Sequence, residues 1–364
     1  MASLDNTDRI ATLKFFVGET AINDLQKHSA FVSFYEEAAY LQAAADDFCK
    51  IGVPVLGTHE RVRELVQNLR DNPSCTKQSL QQAICHNIAY PEDDVEHAVR
   101  TIIRMGFMLD CTLTRNFSRI YCLRNYVPQR WKLQDSFEDF ITSSIPRQDS
   151  GTLAPYEYKG LISAIGLRNR CKTILQRTDN IADHLQYDPN SRTLKIFHQM
   201  DYLRAQLSRY PAPLSATILR DNLKLGTLPP QLILETIESF YGLLFPVVMT
   251  EDGPSRNILK QLVNKDGFDP QALTEIEDHS DWIPDDFKYH YWGPRLQKLH
   301  ELSQEPIMRS TWLSWMDRYT KEQNALILAI AGLFFSALFG FLGFIVGVAQ
   351  LAISVEAWKQ PVNT

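Results

Sequence analysis

The residues best suited to chemistry in this sequence are two aspartates and a histidine in one short stretch. A carboxylate beside an imidazole, as in Asp183 and His184 with Asp179 nearby, can transfer protons or bind a metal ion. The same residues also fit a structural role, because Asp179 favours the start of a helix and a lone histidine often packs in a core or faces solvent. Asp183 and His184 are therefore the candidate catalytic residues, and the structural interpretation stays open beside that one.

The sequence lacks the recognised signatures of catalysis and ligand binding. It contains no glycine-rich nucleotide loop, no serine-nucleophile motif, no zinc-protease motif and no EF-hand loop, and its six cysteines form no CxxC pair. The sequence thus predicts no cofactor and no metal site, and it favours a non-enzyme over an enzyme without excluding the latter. The formal net charge of -6 disfavours nucleic acid as a partner.

The longest apolar stretch lies at residues 324–355, which contain no Asp, Glu, Lys, Arg or His. An uncharged apolar run of about 18 residues or more is long enough to cross a bilayer as a helix. At a rise of about 1.5 Å per residue, this run is longer than the hydrocarbon layer of about 30 Å. We therefore expect one transmembrane anchor with a solvated end, with a re-entrant hairpin as the alternative, and the lipid bilayer as a partner.

The residues around this stretch predict how it lies in the membrane. Basic residues are more frequent on its amino-terminal side, so the positive-inside rule places the preceding body in the cytosol. Because few residues follow the span, we expect a single-pass, tail-anchored topology on an organelle that the sequence does not identify. Aromatic residues at both interfaces are the expected anchors: Trp312, Trp315, Tyr319 and Trp358.

Small residues recur along one face of the predicted span. Their spacings of three and four residues place them on the same side of a helix, where a second helix can approach closely. This small-residue face comprises Gly332, Ser336, Gly340, Gly343 and Gly347. One interpretation is packing against a membrane partner or a second copy of the chain. The other is that glycine and alanine are simply common in membrane helices.

Upstream of the span, the sequence predicts a mainly helical α+β body in two parts. The predicted divisions are an N-terminal helical segment (1–50), a winged-helix-like domain (51–146), a linker (147–155), a helical α+β domain (156–305), a juxtamembrane segment (306–323), the anchor (324–355) and a short tail (356–364). The linker is assigned from its Gly, Ser, Asp and Pro content.

Three amphipathic helices followed by a hairpin define the predicted winged-helix-like domain. Thr58 and Thr76 are expected to cap the first two helices. The third begins with acidic residues at Glu92, and the hairpin strands are expected at 107–113 and 119–124. Because the acidic third helix would repel phosphates, we interpret this domain as protein-binding or structural.

The second domain holds the candidate catalytic residues. We expect a strand near 171–176, a short helix capped by Thr178, and a strand at 193–197. The strongest amphipathic helix of the body is predicted to start after residue 228, with Glu235 and Ser239 on its polar face.

The second half of the chain contains five segments in a recognisable order: TDNIADHL at 178–185, LKIF at 194–197, LLFP at 243–246, FKYHYWGPRLQKL at 287–299 and WMDRY at 315–319. In this order the chain resembles a family of uncharacterised filamentous-fungal proteins with a carboxy-terminal transmembrane segment. The resemblance implies the membrane topology and brings no known activity.

These observations predict a membrane-anchored interaction, adaptor or regulatory module on the cytosolic face of a membrane. We expect a protein partner, or self-association through the transmembrane helix. Two alternatives stay open. One is an unrecognised enzyme that acts on a membrane-associated substrate near Asp183 and His184, and the other is a membrane-active or oligomer-forming protein that works through the glycine-rich segment.

Overall fold

The computed structural model describes residues 4–19, 25–47, 54–86, 88–111, 129–148, 162–210, 218–246, 253–274, 287–304 and 325–359. The chain divides into two compact units, Met1–Glu305 and Pro306–Thr364. It is mainly helical with one small sheet, which confirms the coarse prediction of the fold class.

The helices of the first unit are, in chain order, α1 (Asn6–Phe16), α2 (Ser29–Asp47), α3 (His59–Asp71), α4 (Lys77–Cys85), α5 (Glu92–Phe107), α6 (Phe137–Ser144), α7 (Ala164–Arg170), α8 (Met200–Leu207), α9 (Leu219–Lys224), α10 (Pro230–Glu238), α11 (Pro254–Asp266) and α12 (Gly293–Gln304). Short 3₁₀ turns lie at Ile181–Asp183 and Pro270–Leu273, and a π-helical segment, Ser239–Leu244, continues α10.

Local capping explains where several of these helices begin. Thr58 and Thr76 cap α3 and α4 as predicted, since each hydroxyl accepts a backbone N–H three residues on at 3.2 Å. Ser136 caps α6 in the same way. The first turn of α5 carries three acidic residues, which suit the positive end of the helix dipole.

The predicted first hairpin strand, 107–113, is wrong over the part that the structure describes. Phe107 is the last residue of α5, because its ring belongs to the buried face and packs against Phe137 at 4.7 Å. Met108 then takes a left-handed conformation (φ 51°) that ends the helix. No strand follows over 109–111, and residues 119–124 lie outside the described residues.

The small sheet lies in the second half of the first unit. Its strands are β1 (Ile174–Thr178), β2 (Gln186–Asp188) and β3 (Thr193–Phe197), in the order β1-β3-β2. β3 runs parallel to β1 and antiparallel to β2. The predicted strand at 193–197 is confirmed, and β1 lies slightly later than its predicted position.

Helix α1 connects the early and late parts of the first unit. Its last carbonyl groups accept hydrogen bonds from side chains of two distant segments. Arg70 Nη1, on α3, donates to the Phe15 carbonyl at 3.3 Å, while Gln206 Nε2 and Arg209 Nη2 each donate to the Phe16 carbonyl at 2.8 Å. These groups satisfy carbonyls that a helix end leaves unpaired.

The second unit contains α13 (Ala325–Lys359), a single helix of 35 residues. Its segment Gly332–Val355, 24 residues, is long and apolar enough to cross a membrane. The helix is continuous through Gly340 and Gly343, where the hairpin alternative would bend it. Trp358 belongs to its last turn, whereas Trp312, Trp315 and Tyr319 lie outside the described residues.

Candidate functional site

His184 is fully buried directly after the 3₁₀ turn Ile181–Asp183. Its Nδ1 atom accepts the backbone N–H of Phe197 at 3.1 Å, and its Nε2 atom lies 2.9 Å from Ser239 Oγ. Because Nδ1 accepts a hydrogen, the ring proton of the neutral histidine must be on Nε2, which donates to Ser239. The Trp292 ring covers the imidazole edge-on, with a centroid distance of 5.3 Å.

This arrangement keeps His184 neutral. Burial lowers the pKa of His184 well below its ordinary value, and the nearby Arg295 guanidinium lowers it further. The Ser239 hydroxyl donates to the Thr236 carbonyl at 3.0 Å. A serine nucleophile needs an imidazole that accepts the hydroxyl proton, and here the imidazole donates to the hydroxyl instead. The geometry therefore supports a structural role for His184.

Asp183 lies next to His184 in the chain but makes a different interaction. Its Oδ2 atom accepts a hydrogen bond from Lys195 Nζ, on β3, at 2.9 Å. Among the described residues, Asp183 has no hydrogen bond to His184. The two sequence-predicted candidates thus do not form an acid-base pair in this structure, and their catalytic role stays a prediction.

Asp179 binds side chains that the sequence analysis did not connect to it. Its Oδ1 atom accepts hydrogen bonds from His198 Nε2 at 3.0 Å and from Gln199 Nε2 at 2.8 Å. Burial opposes its charge, but these hydrogen bonds and the nearby positive charge of Arg177 leave the pKa of Asp179 below its ordinary value. On the other side of its ring, His198 Nδ1 accepts the Asp269 N–H at 3.0 Å. His198 thereby ties three segments together.

The turn that holds Asp183 and His184 is shorter than predicted. Thr178 does not cap it: the cap is Asn180, whose Oδ1 accepts the Ala182 N–H at 3.2 Å, while Thr178 Oγ1 accepts the Asn180 N–H. The turn ends at Leu185, which adopts a left-handed conformation (φ 60°). Arg295, on α12, donates to the carbonyls of Ala182 and His184 and so fixes the turn from outside.

Glu235 and Ser239, which were predicted on the polar face of the helix that starts at Pro230, are both fully buried. The apolar residues Leu232, Ile233 and Ile237 on the other face are buried as well, so α10 is covered on two sides. The polar side contacts the segment 288–292, and the change to π-helical geometry at Ser239 brings this hydroxyl to His184. Sequence periodicity carries no signal for a second buried face made of polar residues.

The described residues contain no group of three or more His, Cys, Asp or Glu side chains that could hold a metal ion.

The five residues of the predicted small-residue face lie on one side of α13, because they are spaced three or four positions apart in a continuous helix. At Gly332, Gly340, Gly343 and Gly347 no described atom beyond the neighbouring residues and the nearby backbone of the same helix lies within 4 Å of the position that a Cβ would take, and Ser336 is exposed.

Comparison with known proteins gave no relative. No protein-family profile, no curated protein and no solved structure matches this chain.

Proposed function

We propose that this chain is a membrane-anchored interaction module, an adaptor or regulatory protein whose helical body is held at a membrane by α13. The observation that carries the proposal is the exposed apolar surface of Gly332–Val355, in a unit separate from Met1–Glu305. Apolar surface costs about 25 cal/mol per Å² in water, and a bilayer removes that cost along the whole segment.

The body is proposed to act without catalysis. The support comes from His184, whose two nitrogens are both engaged in structural hydrogen bonds, and from Asp183, which pairs with Lys195.

We further propose that α3, α4 and α5 belong to a winged-helix-like module that binds protein. The acidic first turn of α5 supports this choice over nucleic acid. Fluorescence anisotropy with a labelled DNA duplex at low salt tests it, and saturable binding would contradict it.

Membrane insertion is tested by placing charge in the centre of α13. In the double variant Leu338→Arg/Ile345→Arg, each arginine is expected to cost about 2.5–3.5 kcal/mol at the bilayer centre. The variant should be released from membranes by alkaline extraction, whereas the wild type and Leu338→Ala/Ile345→Ala should remain in the pellet. If the arginine variant also resists extraction, α13 does not hold the protein in the membrane.

We propose that the body faces the cytosol. Arg309, Arg318 and Lys321 precede the span, against Lys359 after it, and this charge difference supports the orientation. The acceptor sequence at Asn116 gives a direct test, because a glycan is added there only in the lumen. A glycosidase-sensitive mass shift in the wild type that is absent from Asn116→Gln would place the body in the lumen instead.

The partner is proposed to bind either the body or the small-residue face of α13. The full-length protein should be purified from gently solubilised membranes beside a version truncated at Thr320, and the co-purifying proteins identified by mass spectrometry. A partner retained by both forms supports an adaptor body. If only the chain itself is recovered, or if a partner is recovered only with the full-length form, the interaction is instead made by α13.

A further inference from the structure

Exposed basic side chains lie around an exposed isoleucine at the end of the sheet where β1 and β3 begin. The group, which we name the basic patch, comprises Arg168 and Arg170 in the last turn of α7, Lys172 before β1, and Arg192 before β3. Two of its parts adjoin across the sheet, because the Ile174 N–H donates to the Arg192 carbonyl at 2.8 Å. Ile174, the first residue of β1, is 60% exposed next to them.

The positive charge of the basic patch is not neutralised by neighbouring carboxylates. Among the described residues, no Asp or Glu forms an ion pair with its four cations, and Arg168 Nη1 binds the neutral Gln261 side chain at 3.0 Å. Nearby acidic groups are engaged elsewhere: Glu301 pairs with Lys298 at 2.8 Å, and the buried Asp188 accepts backbone N–H groups of its own turn. The patch is thus basic in a chain of formal net charge -6.

The backbone explains only half of the basic patch. Arg168 and Arg170 suit the negative end of the α7 dipole. Lys172 and Arg192, however, both adopt a left-handed conformation (φ 54°), which favours glycine or asparagine. The fold therefore gives no reason for a long cationic side chain at these two positions.

The basic patch lies next to the point where the chain leaves the body towards the anchor. The Cys171 thiol, within the patch, donates to the Leu302 carbonyl at 3.5 Å. Leu302 is in the last turn of α12, and residues 305–324 connect that helix to α13 in the sequence. Because α13 would tether the body to a bilayer, lipid headgroups are present at a high effective concentration, and a weak attraction is enough for binding.

We propose that the basic patch binds anionic headgroups of the membrane in which α13 is anchored, with Ile174 inserted among them. This rests on the anchoring by α13 proposed above. Basic side chains bind the phosphate and carboxylate groups of lipids, and an aliphatic side chain beside them is stabilised at the headgroup boundary. Nucleic acid is the other polyanion to consider, but a phosphate backbone offers Ile174 no apolar contact.

The test measures the reactivity of Lys172 in the full-length protein, reconstituted into liposomes of phosphatidylcholine with or without phosphatidylserine. Acetylation by an amine reagent that does not cross membranes is followed by mass spectrometry, with the exposed Lys132 and Lys224 as internal controls. Each cation near an anionic leaflet strengthens adsorption roughly fivefold. Phosphatidylserine should therefore slow acetylation of Lys172 at least about fivefold and leave the two controls unchanged. Salt at about 1 M should abolish the difference, because it shortens the Debye length to about 3 Å.

Two matched variants separate the basic patch from general charge. Arg170→Gln/Arg192→Gln keeps Lys172 as the reporter and should lose most of its protection. Arg130→Gln/Lys224→Gln removes the same amount of charge from exposed positions outside the patch and should behave like the wild type.

The proposal is overturned if phosphatidylserine leaves acetylation of Lys172 unchanged or slows that of Lys132 equally. It is also overturned if Arg170→Gln/Arg192→Gln keeps the protection. If a DNA duplex protects Lys172 and phosphatidylserine does not, the patch binds nucleic acid and the lipid proposal fails.

Flotation of the same samples separates this proposal from the anchor. Liposomes of phosphatidylcholine carry no net charge, so co-flotation with them tests α13 without the basic patch. If the protein does not float with them, the anchor proposal fails. The basic patch is then judged by flotation with phosphatidylserine liposomes, which the wild type should show and Arg170→Gln/Arg192→Gln should lose.

Discussion

Substitution of His184 separates its structural interpretation from its catalytic one. In His184→Ala the buried N–H of Phe197 loses its acceptor and Ser239 loses its donor. One unpaired buried N–H costs about 1–3 kcal/mol, and the cavity beside Trp292 adds about 2 kcal/mol or more. We expect the free energy of unfolding to fall by about 4 kcal/mol, a large part of the stability of an ordinary domain.

Two further variants measure the separate contributions of the two hydrogen bonds to this loss of stability. In His184→Asn the side-chain oxygen takes the place of Nδ1 and keeps the bond from Phe197, so a loss of about 2 kcal/mol is expected. Ser239→Ala leaves His184 Nε2–H without its acceptor and should cost about 1–3 kcal/mol. The measurement is urea unfolding in detergent, followed by tryptophan fluorescence.

The pH dependence supplies an independent check. Folded His184 stays neutral, while in the unfolded chain it titrates at its ordinary pKa near 6.5. The unfolded state therefore binds more protons in acid, and stability is present in full above about pH 6.5 and is lost as pH falls, by at most about 1.4 kcal/mol per unit. Relative to the wild type, His184→Asn should lack this loss of stability in acid. Burial raises the pKa of Glu235, so Glu235 makes the protein less stable as pH rises, but this contribution is the same in both proteins.

The result that would refute this reasoning is a His184→Ala protein within about 0.5 kcal/mol of the wild type, the range of ordinary surface substitutions. The hydrogen bonds to Phe197 and Ser239 would then contribute nothing. If such a protein had also lost an activity, the catalytic interpretation of His184 would be correct and the adaptor proposal would fail.

Three other predictions concern separate parts of the molecule. Lys77 is buried and pairs with the half-exposed Glu96 at 2.6 Å, so urea unfolding should show a loss of about 3–5 kcal/mol for Glu96→Ala and a smaller loss for Lys77→Met, which leaves no buried charge. Thr58→Ala should lower stability by about 1 kcal/mol through loss of the α3 cap, and Thr58→Ser should restore it. Gly343→Leu/Gly347→Leu should reduce any oligomer seen by crosslinking in detergent, whereas small-to-leucine changes on the opposite face should not.

Local sequence signals predicted much of the helical structure. Four helices combine a regular apolar face with a recognisable start signal, and each formed at its expected place. The signal is a threonine cap in α3 and α4, an acidic first turn in α5, and a proline in the first turn of α10. By contrast, α11 lies in a stretch to which no element was assigned. Its signals are Pro254 in the first turn and Gly267 in the left-handed conformation at its end, but few apolar residues mark its buried face.

The site could not be predicted to the same degree, because its partners are distant in sequence. Asp183 and His184 are neighbours in the chain, yet the partner of His184 is Ser239, 55 residues away. Glu235 was placed on a polar face because its spacing fits one, and only the folded structure shows that the segment 288–292 covers it. Residue type predicts that a buried carboxylate needs donors, but not which segment provides them.

The arrangement around the end of α1 has a consequence for biosynthesis. Helix α1 is made early, yet Gln206 and Arg209, which bind the Phe16 carbonyl, follow it by 190 and 193 residues. At about 5–20 residues per second, a ribosome needs on the order of 10–40 s to make them. During this interval the Phe16 carbonyl at the end of the helix lacks both of these donors, so this end of α1 reaches its native hydrogen bonding only after the second half of the chain has been made.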